Sequence, residues 1–274
     1  MRTAVQSGTD SGERHWSVLK FCEHEDVIFG RAPLVGVLCQ FRFEPILSLL
    51  GEVGVAGFQE GLRHIYPHFR PEQIAQLQVN PGQVGLAQSA PIWRLSDDED
   101  RWNVSLATDF VALETPRYRN FEEFLDRLFQ VLDVLDRTVH PAAMTRMGLR
   151  KVNQISHPSV TQPRDWVDLL SSDLLSLLGA ATPGEIALSL SDVRFRDGDT
   201  ELAIRHGVAP NEPTKYLLDL DHSTLTSHRL KPEESMRQLL LGFSEAMTGF
   251  FHWVLKKKMY DWLEPVPRST VVAR

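Results

Sequence analysis

Apolar and polar residues begin to alternate at Ala32 and continue to Phe43, with Val35, Val37, Cys39, Phe41 and Phe43 sharing one parity. Residues two apart on an extended chain point the same way, so the pattern predicts a strand with one apolar face. After Pro45 the period changes. Phe58, Leu62, Ile65 and Tyr66 recur at helical spacing until Pro67, which cannot donate a backbone hydrogen bond and stops the helix. Val84 to Leu95 and Trp102 to Leu113 return to extended character, and the run Asp97, Asp98, Glu99, Asp100 between them predicts the turn of a hairpin. Asn120 then suits the N-cap of a helix whose apolar stripe is Phe121, Phe124, Leu125, Leu128, Val131, Leu132 and Leu135. Glu122 and Glu123 sit in its first turn, and Pro141 ends it.

The same order returns from Thr145. Met147, Leu149 and Ile155 alternate with Arg146, Arg150 and Gln154, as a strand requires. Asp165 to Leu178 predicts a helix with Trp166, Leu169, Leu170, Leu174, Leu177 and Leu178 on one side and Gly179 at its end. Glu185 to His206 and Lys215 to Leu225 are extended, the first with a tight turn at Asp197-Gly198-Asp199, and Glu233 to Trp262 is a last long helix before Pro265-Val266-Pro267. A constant interval of 112 residues separates Gly36 from Gly148, Phe58 from Leu170, Leu62 from Leu174, Ile65 from Leu177, Asp109 from Asp221, Leu113 from Leu225, Phe124 from Met236 and Leu128 from Leu240. Such a register is the signature of an internal repeat.

The predicted fold is therefore α+β: two tandem βαββα units forming a largely antiparallel sheet, with the helices packed on one side. The boundaries expected are a disordered tail over residues 1–14, a first half over 15–143, a second over 144–264 and a C-terminal tail over 265–274. Trp16 to Phe29, around the acidic cluster at 22–26, reads as a short strand or hairpin laid against the body.

Composition narrows the function classes. With 42% hydrophobic and 24% charged residues the chain can bury a sizeable core, and a net charge of -7 opposes a general nucleic-acid or anionic-membrane binder. No apolar run is long enough to span a bilayer, and the N-terminus lacks a signal-peptide core. Cys22 and Cys39 have no paired spacing, so neither a disulfide framework nor zinc is expected, and the expected compartment is the cytoplasm.

The candidate chemistry lies on the sheet. Opposite the helix-covered side the first strands carry Gln40 and Arg42 in one half and Arg146, Arg150 and Gln154 in the other; Asp109, Asp219 and Asp221 are the matching polar positions of the closing strands. Arg and Asp at alternate positions of neighbouring strands either form cross-strand ion pairs on a solvated face or offer guanidinium forks to a partner's carboxylate or phosphate. Asp219 and Asp221 could alternatively hold Mg²⁺ or Mn²⁺ for a nuclease or phosphoryl hydrolase, although His222 should point to the other face. His64 and His68 are four apart but separated by Pro67, and no HExxH, GxSxG, Walker or GxGxxG motif occurs, so no catalytic residue, metal or cofactor is assigned. Gly51 to Gly57 lacks the lysine of a phosphate loop and reads as a helix approach. Aromatics on several sides of the last helix, from Phe250 to Trp262, predict either a helix sandwiched within the fold or a contact with a second copy.

The segments Ala32 to Phe43, Arg146-Met-Gly-Leu-Arg-Lys-Val-Asn153 and Leu217-Leu-Asp-Leu-Asp221 resemble a sporadically distributed bacterial protein family of unknown function, over most of residues 30–260. Lys151 stands where that pattern leads one to expect an aromatic. The resemblance implies no catalytic residues; the family's patchy distribution implies horizontally moved genes, such as defence or toxin–antitoxin modules. The resulting expectation is a binding protein with a protein partner contacted through Arg146, Arg150, Asn153, Asp219 and Asp221. An acidic surface would suit a basic toxin, and a nucleic-acid binder using the open sheet face is the remaining alternative.

Overall fold

The strands that open the two halves lie side by side. In the computed structural model, which describes residues 19–72, 75–80, 83–88, 90–179, 184, 186–209, 212–226 and 233–268, Leu38 faces Arg150 in an antiparallel pair at the centre of the sheet. The tail expected at residues 1–14 lies outside the described residues.

In chain order the elements of the first half are β1 (Val27–Phe29), β2 (Leu34–Phe43), a 3-10 turn at Leu47–Leu50, α1 (Glu52–Leu62), β3 (His68–Glu72), β4 (Ala75–Asn80), β5 (Gln83–Gln88), β6 (Ile92–Ser96), β7 (Asn103–Leu106), β8 (Phe110–Thr115) and α2 (Phe121–Thr138). The second half has β9 (Met144–Ser156), a 3-10 stretch at Pro163–Asp168, α3 (Ser172–Leu175), a 3-10 turn at Ser176–Gly179, β10 (Ser189–Asp197), β11 (Thr200–Val208), β12 (Lys215–Thr224), α4 (Glu233–Val254), α5 (Lys257–Trp262) and β13 (Pro265–Pro267). Nine strands form one sheet in the order β10-β11-β12-β9-β2-β8-β7-β6-β3, and each neighbouring pair in it is antiparallel. From the central β2–β9 pair outward the two halves read alike: opening strand, closing strand, then the two strands before it.

The helices cover one face. Val37, Cys39, Phe41 and Phe43 of β2 are buried together with Phe124, Leu128 and Leu132 of α2 and Leu240, Phe243 and Met247 of α4, in a core continuous across both halves. Asn120 caps α2 as expected, accepting from Glu123 N at 2.8 Å.

Four expectations are corrected. The 112-residue interval does not pass through the closing strands: Leu38 lies opposite Glu114 and Arg150 opposite Asp221, whereas a constant interval carries Glu114 to Thr226, five residues past Asp221. Trp102 to Leu113 is two strands, because Ala107 N donates to Phe110 O at 2.8 Å across a turn that contains neither Gly nor Pro. The helices expected over 165–178 and 233–262 are both interrupted, and for one shared reason. Ser171 N donates to Val254 O at 2.8 Å and Lys256 N to Leu169 O at 2.9 Å, a bridge that takes the backbone of both segments out of helical geometry. Lastly, the expected C-terminal tail begins with β13, which pairs with β1.

That pairing holds residues 19–31 against α4 and α5. Phe21 meets Phe250, Phe29 meets Phe251 and Tyr260, His24 stacks on His252, and Arg31 lies 3.8 Å over the Trp262 ring. Most of the aromatic excess at the C-terminus is thus packed against the chain's own N-terminal segment, while Trp253 stays 37% exposed. No helix among the described residues is long and apolar enough to cross a membrane.

Candidate functional site

β9 alternates across the sheet. Met147, Leu149, Lys151, Asn153 and Ile155 face the helices, and Arg146, Gly148, Arg150, Val152 and Gln154 face the uncovered side. β12 does the same, with Asp219 and Asp221 on the uncovered side. The register sets Arg150 opposite Asp221 and Val152 opposite Asp219, and the guanidiniums reach diagonally. Arg150 forks onto Asp219 with Nε–Oδ1 2.7 Å and Nη2–Oδ2 2.8 Å, which raises its pKa mainly through that hydrogen bond. Arg146 Nη2 donates to both Asp221 oxygens at 2.8 and 2.9 Å. It does so by lying flat across Gly148: a Cβ added there would collide with the Arg146 guanidinium. The Arg-x-Gly-x-Arg spacing on one strand is therefore a notch with a guanidinium bound in it.

Beyond β12 the pairs continue. Arg205 on β11 reaches Asp219 at 3.5 Å and Asp192 on β10 at 3.2 Å; Arg194 joins Asp192 to Glu201 at 3.2 Å each; Arg196 closes on Glu201 at 2.7 Å. Charges of alternating sign thus run without a break across four strands. In the first half Arg94 bridges Glu72 at 2.9 Å and Glu114 at 2.8 Å, while Arg42 has only Gln40 at 3.2 Å among the described contacts.

Depth decides what this network presents. The Asp219 side chain is 5% exposed and its partner Arg150 44%; Glu201 is 9% exposed and Arg196 70%. In these two pairs the carboxylate lies against the sheet and the guanidinium lies above it. The outward groups at these two pairs are therefore guanidiniums, whereas Asp192 is as exposed as Arg205 and around Arg94 the carboxylates of Glu72 and Glu114 are the more exposed partners. Open pairs of this kind contribute about 0–1 kcal/mol each to stability, more where a network fixes the geometry, so preorganisation is their larger effect.

Of the five residues expected at a partner surface, Arg146, Arg150, Asp219 and Asp221 meet as anticipated, whereas Asn153 does not join them. It is buried on the helix side, where Nδ2 donates to Leu218 O at 3.4 Å, because its parity is that of Met147. Asp109 sits in the β7–β8 turn, so it is no counterpart of Asp221. Both carboxylates of the alternative metal site are already bound by guanidinium groups, and no cluster of three or more His, Cys, Asp or Glu among the described residues could hold an ion. Asp192, Arg194, Arg196, Glu201 and Arg205 were missed by sequence reasoning; the run Asp192-x-Arg194-x-Arg196 on one parity was the available signal.

No family model and no curated protein matches this chain.

Among the titratable groups behind the sheet that the network does not use are Lys151 and His222. Lys151 Nζ is held by Ser244 Oγ at 2.8 Å, Ser244 O at 3.3 Å and Thr248 Oγ1 at 3.2 Å, and burial lowers its pKa to about 8. His222 is buried against Phe243 at a ring distance of 4.0 Å.

Proposed function

We propose that the protein is a binding module whose open sheet face, around Arg146 and Arg150, takes an acidic segment of a protein partner. The observation that carries this reading is the depth of Asp219 and Glu201 beneath the more exposed guanidiniums of Arg150 and Arg196, which keeps those groups in place before a ligand arrives and so reduces the ordering cost of binding. A partner's carboxylates then bind the outward N–H groups that the internal carboxylates leave unused. The outward guanidiniums of Arg150 and Arg196 favour an acidic segment over a basic one. The family resemblance makes a protein encoded beside this one in a defence or toxin–antitoxin module the first partner to test.

The test uses the full chain with a glutamate-rich peptide and with a single-stranded oligonucleotide, each titrated at several salt concentrations, followed by pull-down from the native host. Arg146→Ala with Arg150→Ala should weaken peptide binding by about tenfold or more, as the loss of charge-assisted hydrogen bonds implies. Gly148→Ala keeps both arginines but displaces Arg146 from its notch, and a smaller loss is expected. Undiminished binding by the folded double variant would overturn the reading. Outward guanidiniums also fit phosphates, so oligonucleotide binding with a steep salt slope and no peptide binding would favour the nucleic-acid alternative.

A further inference from the structure

Among the described residues the nine-stranded sheet ends in two strands, each unpaired on its outer side and different in character. At one end β3 has five residues, His68–Glu72, and contains Pro71, which cannot donate to a further strand and blunts that edge. At the other end β10 has nine residues, Ser189–Asp197, with no proline or lysine, and every one of them is exposed or half-exposed. Its exposed apolar residues are Leu190, Val193 and Phe195.

The β10–β11 hairpin fixes which backbone groups of β10 point outward. Its turn is two residues long and closed by Asp197 opposite Thr200, the hydrogen-bonded pair of such a hairpin. Hydrogen-bonded positions then recur at every second residue, Phe195, Val193 and Ser191, and the N–H and C=O groups of Leu190, Asp192, Arg194 and Arg196 face away from the sheet.

We propose that β10 pairs antiparallel with β10 of a second copy, in a two-fold register centred on Val193. Only outward-facing residues can exchange hydrogen bonds across the new edge, which restricts the register to steps of two. Centring on Asp192 sets Asp192 against its own copy, and centring on Arg194 sets Arg194 against its own copy; like charges directly opposite are destabilising. Centring on Val193 sets Asp192 opposite Arg194 of the partner twice over and uses all four outward-facing residues, for about eight backbone hydrogen bonds. It also places Val193 against Val193 on the helix side, in the closer, non-hydrogen-bonded kind of pair. The alternating charges that would repel an unrelated strand are complementary to themselves. The contact is isologous, so it closes at two copies, and it runs the open faces of the two sheets into one.

The full chain, examined by light scattering during gel filtration over a range of concentrations, should give twice the chain mass of 31.1 kDa. Asp192→Arg and Arg194→Asp should each give monomers of unchanged circular dichroism, because each sets like charges opposite. An equimolar mixture of the two variants should recover the dimer as a heterodimer, and a chain carrying both changes should recover the homodimer; unfolding by a substitution cannot produce either recovery. A wild-type monomer at all concentrations, a dimer indifferent to both single reversals, or single-variant monomers that regain nothing on mixing would each overturn the proposal. None of these outcomes depends on Arg146 or Arg150, so acidic-peptide binding can succeed or fail separately.

Discussion

His222 shows how strongly position within a strand decides the chemistry of a residue. One step from Asp221 in sequence, it faces the helices, is 1% exposed, and has no hydrogen-bond partner on either ring nitrogen among the described residues. Burial lowers its pKa from 6.5 to about 4, so between those values the unfolded chain binds a proton that the folded chain refuses. Stability from this residue is therefore present above the unfolded pKa and lost as pH falls towards 4. His222 should contribute about 3 kcal/mol to the loss that urea denaturation shows over that interval, beside His252, whose pKa burial also lowers to about 4, and His222→Leu should make the dependence shallower. An unchanged slope in the variant would assign the loss to other groups. Strand parity made the orientation of His222 legible in the sequence, along with those of Arg146, Arg150, Asp219 and Asp221. Parity also contained the true position of Asn153, but a sequence resemblance had grouped it with residues on the other face. What parity cannot supply is depth: nothing local distinguishes a carboxylate under a guanidinium from one beside it.

At the scale of elements, β10 and β11 depend on Gly207. Its φ of 141° is a conformation that residues with a Cβ rarely adopt, and an added Cβ would collide with the Ser189 carbonyl oxygen on β10. Gly207→Ala should destabilise the chain by about 1–3 kcal/mol and raise amide exchange in β10 and β11 before the rest of the sheet. Uniform exchange with an unchanged urea midpoint would contradict this. Elements with a strong local signal were legible: the stripe and Asn120 cap of α2, the alternation of β2 and β9, and the Gly198 turn. The interrupted helices were not. Leu169 and Leu170 keep helical spacing with Trp166, yet their backbone is claimed by Val254 to Lys256, some 85 residues later in the chain (Leu255 against Leu170). Periodicity records which side of a segment is apolar and is silent on such competition.

At the scale of the molecule, β2 and β9 form the seam on which both halves close, and the core runs through it. Cutting the chain between residues 143 and 144 would leave each half with its longest interior strand at an unpaired edge. Residues 1–143 and 144–274 expressed separately should each be aggregated or poorly folded, and co-expression should restore a soluble complex. Independent cooperative unfolding of either half would show that the seam is dispensable. By itself the sequence determined the α+β class, the order of most elements, the inward faces of β2, β9 and β12 and the candidate arginines and aspartates on them, because these follow from side-chain direction over a few residues. Only the tertiary structure decided the strand order, the displaced register of the closing strands, the break in two helices and the depth of the charges. Those depend on ladders and ion pairs between residues far apart in the chain, such as Arg150 with Asp219 across 69 positions, and no local pattern encodes which distant backbone a strand will meet.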